Sequence, residues 1–393
     1  MILLAVIYVV FISLGLPDSL FGVAWPVVHN EFGIAEGFAS VYSIIIGVCT
    51  GGVSFVAGRL IRRLGTGKVT FFSVLLTATG LAGMSLAPNI VVMMLFAVVL
   101  GYGAGAIDTG LNNFVSLHYK SQHMNWLHCF WGVGVTASPL IMSVFLTPQA
   151  GSWRMGYRVI AVIQLVIAAI VALSLGRWKK AEHTEAEEQD AEEAAPDKSF
   201  SQILFARGVP TSILSLGFYC GMEFLVGTWG ATYLVNIYSF SPADAAKWIS
   251  LYYGGIMLGR LVSGFISMKL SNDTLIRAGI ITAFCGMIVF ALPLGNYSIF
   301  GLLLIGFGFG PIFPGVLHSI PKRFGRTYSA DITGYHMGGA YAIGFLVQLV
   351  FGFAASVTTF AVTPFVLLVM CSGLFTAQQI TLSLIKKPLS EKQ

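Results

Sequence analysis

Apolar runs of about 20 residues or more recur along this 393-residue chain, broken by short polar or turn-rich interruptions. That is the length needed to cross a hydrocarbon core of roughly 30 Å. In order, the runs cover residues 3–29, 39–61, 69–87, 90–119, 123–147, 156–178, 204–236, 243–270, 274–293, 297–322, 326–354 and 358–385, twelve in all. Turn signals such as "APN" at 87–89 and "LPLGN" at 292–296 separate them. Several connections are nearly absent, so neighbouring spans run antiparallel. The opening "MILLAVIYVV" has no basic segment before it and no small-residue cleavage site after it. It reads as the first span and not as a removed signal peptide. The pattern predicts an all-α membrane protein.

Composition agrees: 56% of residues are hydrophobic and 10% charged, against roughly 25% charged in a soluble domain. The polar residues that exist are concentrated. One insert, "KKAEHTEAEEQDAEEAAPDKSF" at 179–200, is acidic and poor in aromatics, which reads as a flexible tether. It divides the chain into a six-helix half at 1–178 and a second at 201–393. With the N-terminus inside, 19 of the 22 lysines and arginines fall on the cytoplasmic side, and only Arg154, Arg158 and Lys247 fall outside. That bias predicts a multi-pass protein of the cell membrane with both termini cytoplasmic. The five cysteines all lie within apolar runs and show neither a disulfide nor a metal spacing.

The two halves align at an offset of 205 residues. Gly101, Gly103 and Gly105 land on Gly306, Gly308 and Gly310, and "FWGVGV" at 130–135 lands on "YHMGGA" at 335–340. Glycine-rich helices align readily by chance, but Asp18 also lands on Glu223. Parallel repeats about an axis along the membrane normal place solute sites near the midplane between them.

Of the 17 acidic residues, eight lie in the tether and six near membrane surfaces, leaving Asp18, Asp108 and Glu223 inside spans. Each costs about 2.5–3.5 kcal/mol at a helix centre, so such residues face a cavity and read as functional. The alternative for each is a hydrogen-bonded acid at a helix interface. Helical spacing favours the cavity: Gly101, Gly105, Asp108 and Asn112 form one stripe, as do Gly15, Asp18, Gly22 and Trp25, and Tyr219, Glu223, Gly227 and Gly230. Pro17, Pro311 and Pro314 free backbone carbonyls nearby, which is tolerated where neighbours re-satisfy them.

No lysine or arginine accompanies the three acids at the midplane by this reading. Arg260 is placed near the cytoplasmic end of its span, as an interfacial or gating residue. An anionic solute would need a cation, so phosphorylated sugars and dicarboxylates are disfavoured. A desolvated carboxyl without a cation resists ionisation, so Asp18, Glu223 and Asp108 are candidate proton carriers and H+ is the expected coupling ion, with Na+ the alternative. A neutral sugar needs hydrogen-bonding groups and aromatic faces. The candidates are Asp108, Asn112, Asn113, His128, His318 and His336, with Trp131, Trp229, Tyr253 and Tyr335. Each could instead be core or interfacial packing. No phosphate loop, metal cluster or nucleophile–base pair stands out, so no enzyme, cofactor, metal or nucleic-acid partner is expected, and the protein reads as a monomer in the bilayer.

The segments "LGYGAGAIDTGLNNFV", "LHCFWGVGVTASPL", "GFYCGMEFLVGTWGATYL" and "GGIMLGRLVSGF" together resemble the fucose–galactose–glucose:proton symporters of the major facilitator superfamily, most of all their bacterial glucose/mannose branch. The resemblance implies a twelve-helix fold of two pseudo-symmetric halves. It also implies an acid on helix 1 and another on helix 4 for proton coupling and sugar recognition, which are Asp18 and Asp108 here. The helix-4 acid is Asp where Glu is usual. His128 stands at the helix-5 ligand position where the fucose transporter pattern has an amide. The superfamily's loop signature appears as "GRLIRRLGTGK" at 58–68, with Arg62 where an Asp is usual. Two rivals to proton–sugar symport remain: a proton antiporter exporting small lipophilic or cationic compounds, and a non-transporting membrane sensor or assembly factor.

Overall fold

A computed structural model describes residues 2–118, 121–147, 152–188, 200–325 and 329–386. Among the described residues there are twelve helical segments long and apolar enough to cross a membrane. In chain order the α-helices are α1 (Ile2–Asp18), α2 (Leu20–Phe32), α3 (Ala39–Leu64), α4 (Thr66–Leu86), α5 (Ile90–His118), α6 (Ser121–Phe145), α7 (Trp153–Glu188), α8 (Phe200–Leu204), α9 (Val209–Tyr238), α10 (Pro242–Ile266), α11 (Asn272–Ala291), α12 (Phe300–Phe309), α13 (Ile312–Phe324), α14 (Ser329–Val357) and α15 (Thr363–Lys386). Large apolar side chains face outward, among them Leu173, Val357 and Val369. Water would penalise that surface and a bilayer accepts it.

Helix α7 continues to Glu188, so the first part of the expected tether is helical; residues 189–199 lie outside the described residues. Two expected spans are each broken into a pair of helices, and proline explains both breaks. Pro17 has no N–H to give the Ser13 carbonyl, which instead accepts Gln164 Nε2 of α7 at 2.5 Å. Pro139 likewise frees the Val135 carbonyl of α6, which accepts Ser19 Oγ at 2.8 Å. Ser19 is the residue between α1 and α2, so one proline's orphan acceptor anchors the break that the other creates. Between α12 and α13, Pro311 follows Gly310, whose N–H is shared between the carbonyls of Gly306 and Phe307.

The glycines give the repeat its physical meaning. A Cβ at Gly101 or Gly105 would strike α3, and one at Gly103 would strike α4. In the second half, a Cβ at Gly306 or Gly310 would strike α10, and one at Gly308 would strike α11. Since α3 and α10 are second spans and α4 and α11 third spans of their halves, equivalent glycines serve equivalent crossings. The fold is therefore two pseudo-symmetric six-helix halves.

The halves meet tightly at one end of the bundle. Gly22 of α2 abuts the Gly227 carbonyl of α9 so closely that no side chain fits. Nearby, Asn236 Nδ2 donates to both Glu36 carboxylate oxygens at 3.0 Å, and His29 Nε2 lies 3.4 Å from Glu36. Trp25 Nε1 donates to the Glu36 carbonyl at 2.8 Å. At mid-depth, Gln348 Oε1 of α14 accepts Ser43 Oγ at 2.5 Å and Thr228 Oγ1 at 2.6 Å, tying α3 to α9 and α14.

Candidate functional site

A cavity of about 200 Å³ lies between the halves, below that closure, and Asp18, Asp108 and Glu223 all line it. Asp18 reaches it because the Pro17 break ends α1 there. Its side chain opens onto the cavity, and its Oδ2 accepts Trp131 Nε1 of α6 at 2.7 Å. Tyr253 meets the same indole in a T-shaped arrangement, ring centroids 6.5 Å apart.

Asp108 is held from both halves. Its Oδ1 accepts Asn112 Nδ2, one turn along α5, at 2.8 Å. Its Oδ2 accepts the Tyr341 hydroxyl of α14 at 3.1 Å. Four residues apart on one helix, Asp108 and Asn112 face the same side; Asn112 is not itself among the residues lining the cavity and bonds the carboxylate that is.

Glu223 corrects the expectation of three acids without a cation. Arg260 also lines the cavity, and its Nη2 lies 3.9 Å from Glu223 Oε1. Both residues are 6% exposed. The guanidinium carbon sits 4.5 Å from the centre of the Trp131 ring, an attractive cation–π geometry. Position along α10 suggested a place near the membrane surface. Helical phase and side-chain length decide otherwise: Tyr253 and Arg260 are two turns apart on one face, and the long side chain reaches back into the bundle. The argument against anionic solutes from a missing cation falls with this correction.

A family model described as the Major Facilitator Superfamily matches residues 7–349. The chain belongs to that superfamily. It is 25% identical over 393 aligned residues to the glucose/mannose transporter GlcP of Bacillus subtilis, covering 95% of this chain and 91% of that protein. It is also 23% identical over 297 residues to a glucose/galactose transporter of Brucella abortus, covering 69% of each. Among solved structures it is similar to the E. coli fucose:proton symporter FucP, at 16% identity with a TM-score of 0.64, covering 97% of this chain and 98% of that one. The last likeness is one of fold.

Within this major facilitator fold, the sequence-predicted residues divide. Asp18, Asp108, Glu223, His128, Trp131 and Tyr253 come together around the cavity. Trp229 does not. It stands six residues from Glu223, about 120° from that face, and is buried against Phe351 and Phe360. His336 is fully buried, with Nε2 2.8 Å from Ser212 Oγ and Nδ1 2.8 Å from the Ile332 carbonyl. Tyr335 packs on the cluster of Ile203, Val209 and Ile332 beside it. His318 bonds Asn272 at 2.8 Å in a separate cavity bounded by Pro311 and Pro314. The Asn113 side chain lies outside the described residues.

Tyr42, Ser43, Thr228, Tyr341 and Gln348 line the cavity without having been singled out. One signal was available: Met337, Tyr341, Phe345 and Gln348 recur at helical spacing on α14, with an amide inside an apolar run.

Proposed function

We propose that this chain is a secondary active transporter that carries a neutral, hexose-like sugar together with a proton by alternating access. The observation that supports it most is the convergence of Asp18 and Asp108 on one inter-half cavity with an indole and three phenols. Asp108, braced by Asn112 and Tyr341, has lone pairs to accept sugar hydroxyls, and Trp131 and Tyr253 offer aromatic surface for sugar C–H faces. The names of the sugar-transporting relatives point the same way. Export of a lipophilic cation fits less well, because Arg260 would repel such a solute from the same cavity.

In this reading Asp18 carries the proton, since it has an indole donor and, among the described residues, no cation in contact, whereas Glu223 has Arg260 opposite. The chain then divides at the 179–200 connection into halves that rock about the cavity. With the lysine- and arginine-rich side inward, the tight end at Glu36 and Asn236 faces outward, and the cavity belongs to an inward-facing state. The protein would act as a monomer in the cell membrane, both termini inside.

The test is counterflow of labelled hexoses in proteoliposomes, followed by uptake under an imposed pH gradient. Counterflow of at least one hexose and its accumulation with the gradient are expected. Hexose counterflow that no pH gradient can drive uphill would leave sugar transport and remove proton coupling.

A further inference from the structure

Arg260 is poorly satisfied for a buried guanidinium. A guanidinium presents five N–H donors in a fixed fork, and leaving such donors unmet in a buried site is costly. Here Nε is buried with no hydrogen-bond partner among the described residues. Nη1 reaches the His128 carbonyl at 3.4 Å and Nη2 reaches the Tyr219 hydroxyl at 3.5 Å, both at the long limit of a hydrogen bond. The Glu223 carboxylate at 3.9 Å balances charge without accepting a close bond. One face is covered by Trp131, and the residue lines the cavity. Every neighbour holds the group in place and none saturates it.

We propose that Arg260 is a solute-binding residue, donating to an acceptor oxygen of the sugar, either the ring oxygen or a hydroxyl. This rests on the sugar-transport reading and adds to it a polarity: Asp108 on one side accepts from the solute and Arg260 on the other donates to it. A hydroxyl that meets Arg260 serves as an acceptor, so its removal must cost affinity only while the guanidinium is present. Trp131 and Glu223 keep the fork oriented between the halves, so the bound solute bridges them.

Binding of D-glucose and its five monodeoxy analogues (1-, 2-, 3-, 4- and 6-deoxy) to the purified full-length protein and to Arg260→Gln tests this, with Arg260→Lys as a conservative variant. Arg260→Gln should bind D-glucose about tenfold to a hundredfold more weakly, the range for a charge-assisted bond, and Arg260→Lys should recover part of that. At least one deoxy analogue should bind the wild type markedly more weakly than D-glucose yet match it on Arg260→Gln. If only the ring oxygen is engaged, 5-thio-D-glucose takes the analogue's place in that comparison. Equal D-glucose affinity in wild type and Arg260→Gln overturns the inference. So does an analogue penalty that is the same in both proteins throughout, since general damage lowers all affinities together. A wild type that binds no hexose overturns the sugar reading, and this inference falls with it.

Discussion

The two halves share a backbone plan and differ in what they place on it. At the 205-residue offset Asp18 corresponds to Glu223, yet Asp18 meets an indole N–H while Glu223 faces Arg260. The position equivalent to Arg260 is Phe55, and the position equivalent to Asp108 is Phe313. Trp131 lines the cavity, whereas His336, its equivalent, is buried and bonded to Ser212. The glycine crossings were kept alike because helices at those distances admit no side chain. The cavity-facing positions were free to diverge, and the divergence gives one half two acids and the other an acid with its cation.

The largest effect should come from the crossing between the halves. Gly22→Leu places a branched side chain against the Gly227 carbonyl, where even a Cβ does not fit. Uptake should fall to background while the protein still extracts as a folded monodisperse species, measured by proteoliposome flux and size-exclusion chromatography. Normal flux would mean that this end need not close. Next, Asp108→Ala should weaken sugar binding roughly tenfold to a hundredfold, since one charge-assisted hydrogen bond contributes about 1.5–3 kcal/mol. Unchanged affinity in a folded protein would remove Asp108 from the site.

Tyr341→Phe sharpens the comparison further, because that hydroxyl is the second half's hold on an acid the second half lacks. Losing one of two donors to Asp108 should cost severalfold in affinity, by about 1 kcal/mol, with Asn112 keeping the carboxylate in place. The smallest effect should be Asn236→Ala, which removes one bridging side chain at the closed end. A change of about twofold in flux is expected, because an exposed contact of this kind contributes at most about 1 kcal/mol.

Much of this was legible in the chain. Span count follows from apolar run length, and the repeat follows from Gly101, Gly103 and Gly105 recurring at Gly306, Gly308 and Gly310. Asp18, Asp108 and Glu223 stand out because membranes tolerate acids only with a reason. The Arg260–Glu223 pairing was not legible, since it depends on how far a long side chain reaches across two helices. Nor were Tyr341 on Asp108 or Ser43 on Gln348, which join residues of opposite halves and leave no periodicity in either. Trp229 and His336 resembled site residues because type and depth were right, and only their helical phase and partners separate them from the cavity.

The central claim is that the equivalent acids have parted in function, Asp18 coupling the proton and Glu223 balancing Arg260. It is tested most directly by measuring pH-gradient-driven accumulation and equilibrium exchange of labelled hexose side by side for Asp18→Asn and Glu223→Gln. An amide at Asp18 mimics the protonated acid permanently, so accumulation should vanish while exchange, which moves no net proton, survives. Glu223→Gln leaves Arg260 without its counter-charge and should reduce both activities together. Accumulation that persists in Asp18→Asn, or a Glu223→Gln protein that loses accumulation alone, would contradict the account and move proton coupling to the other half.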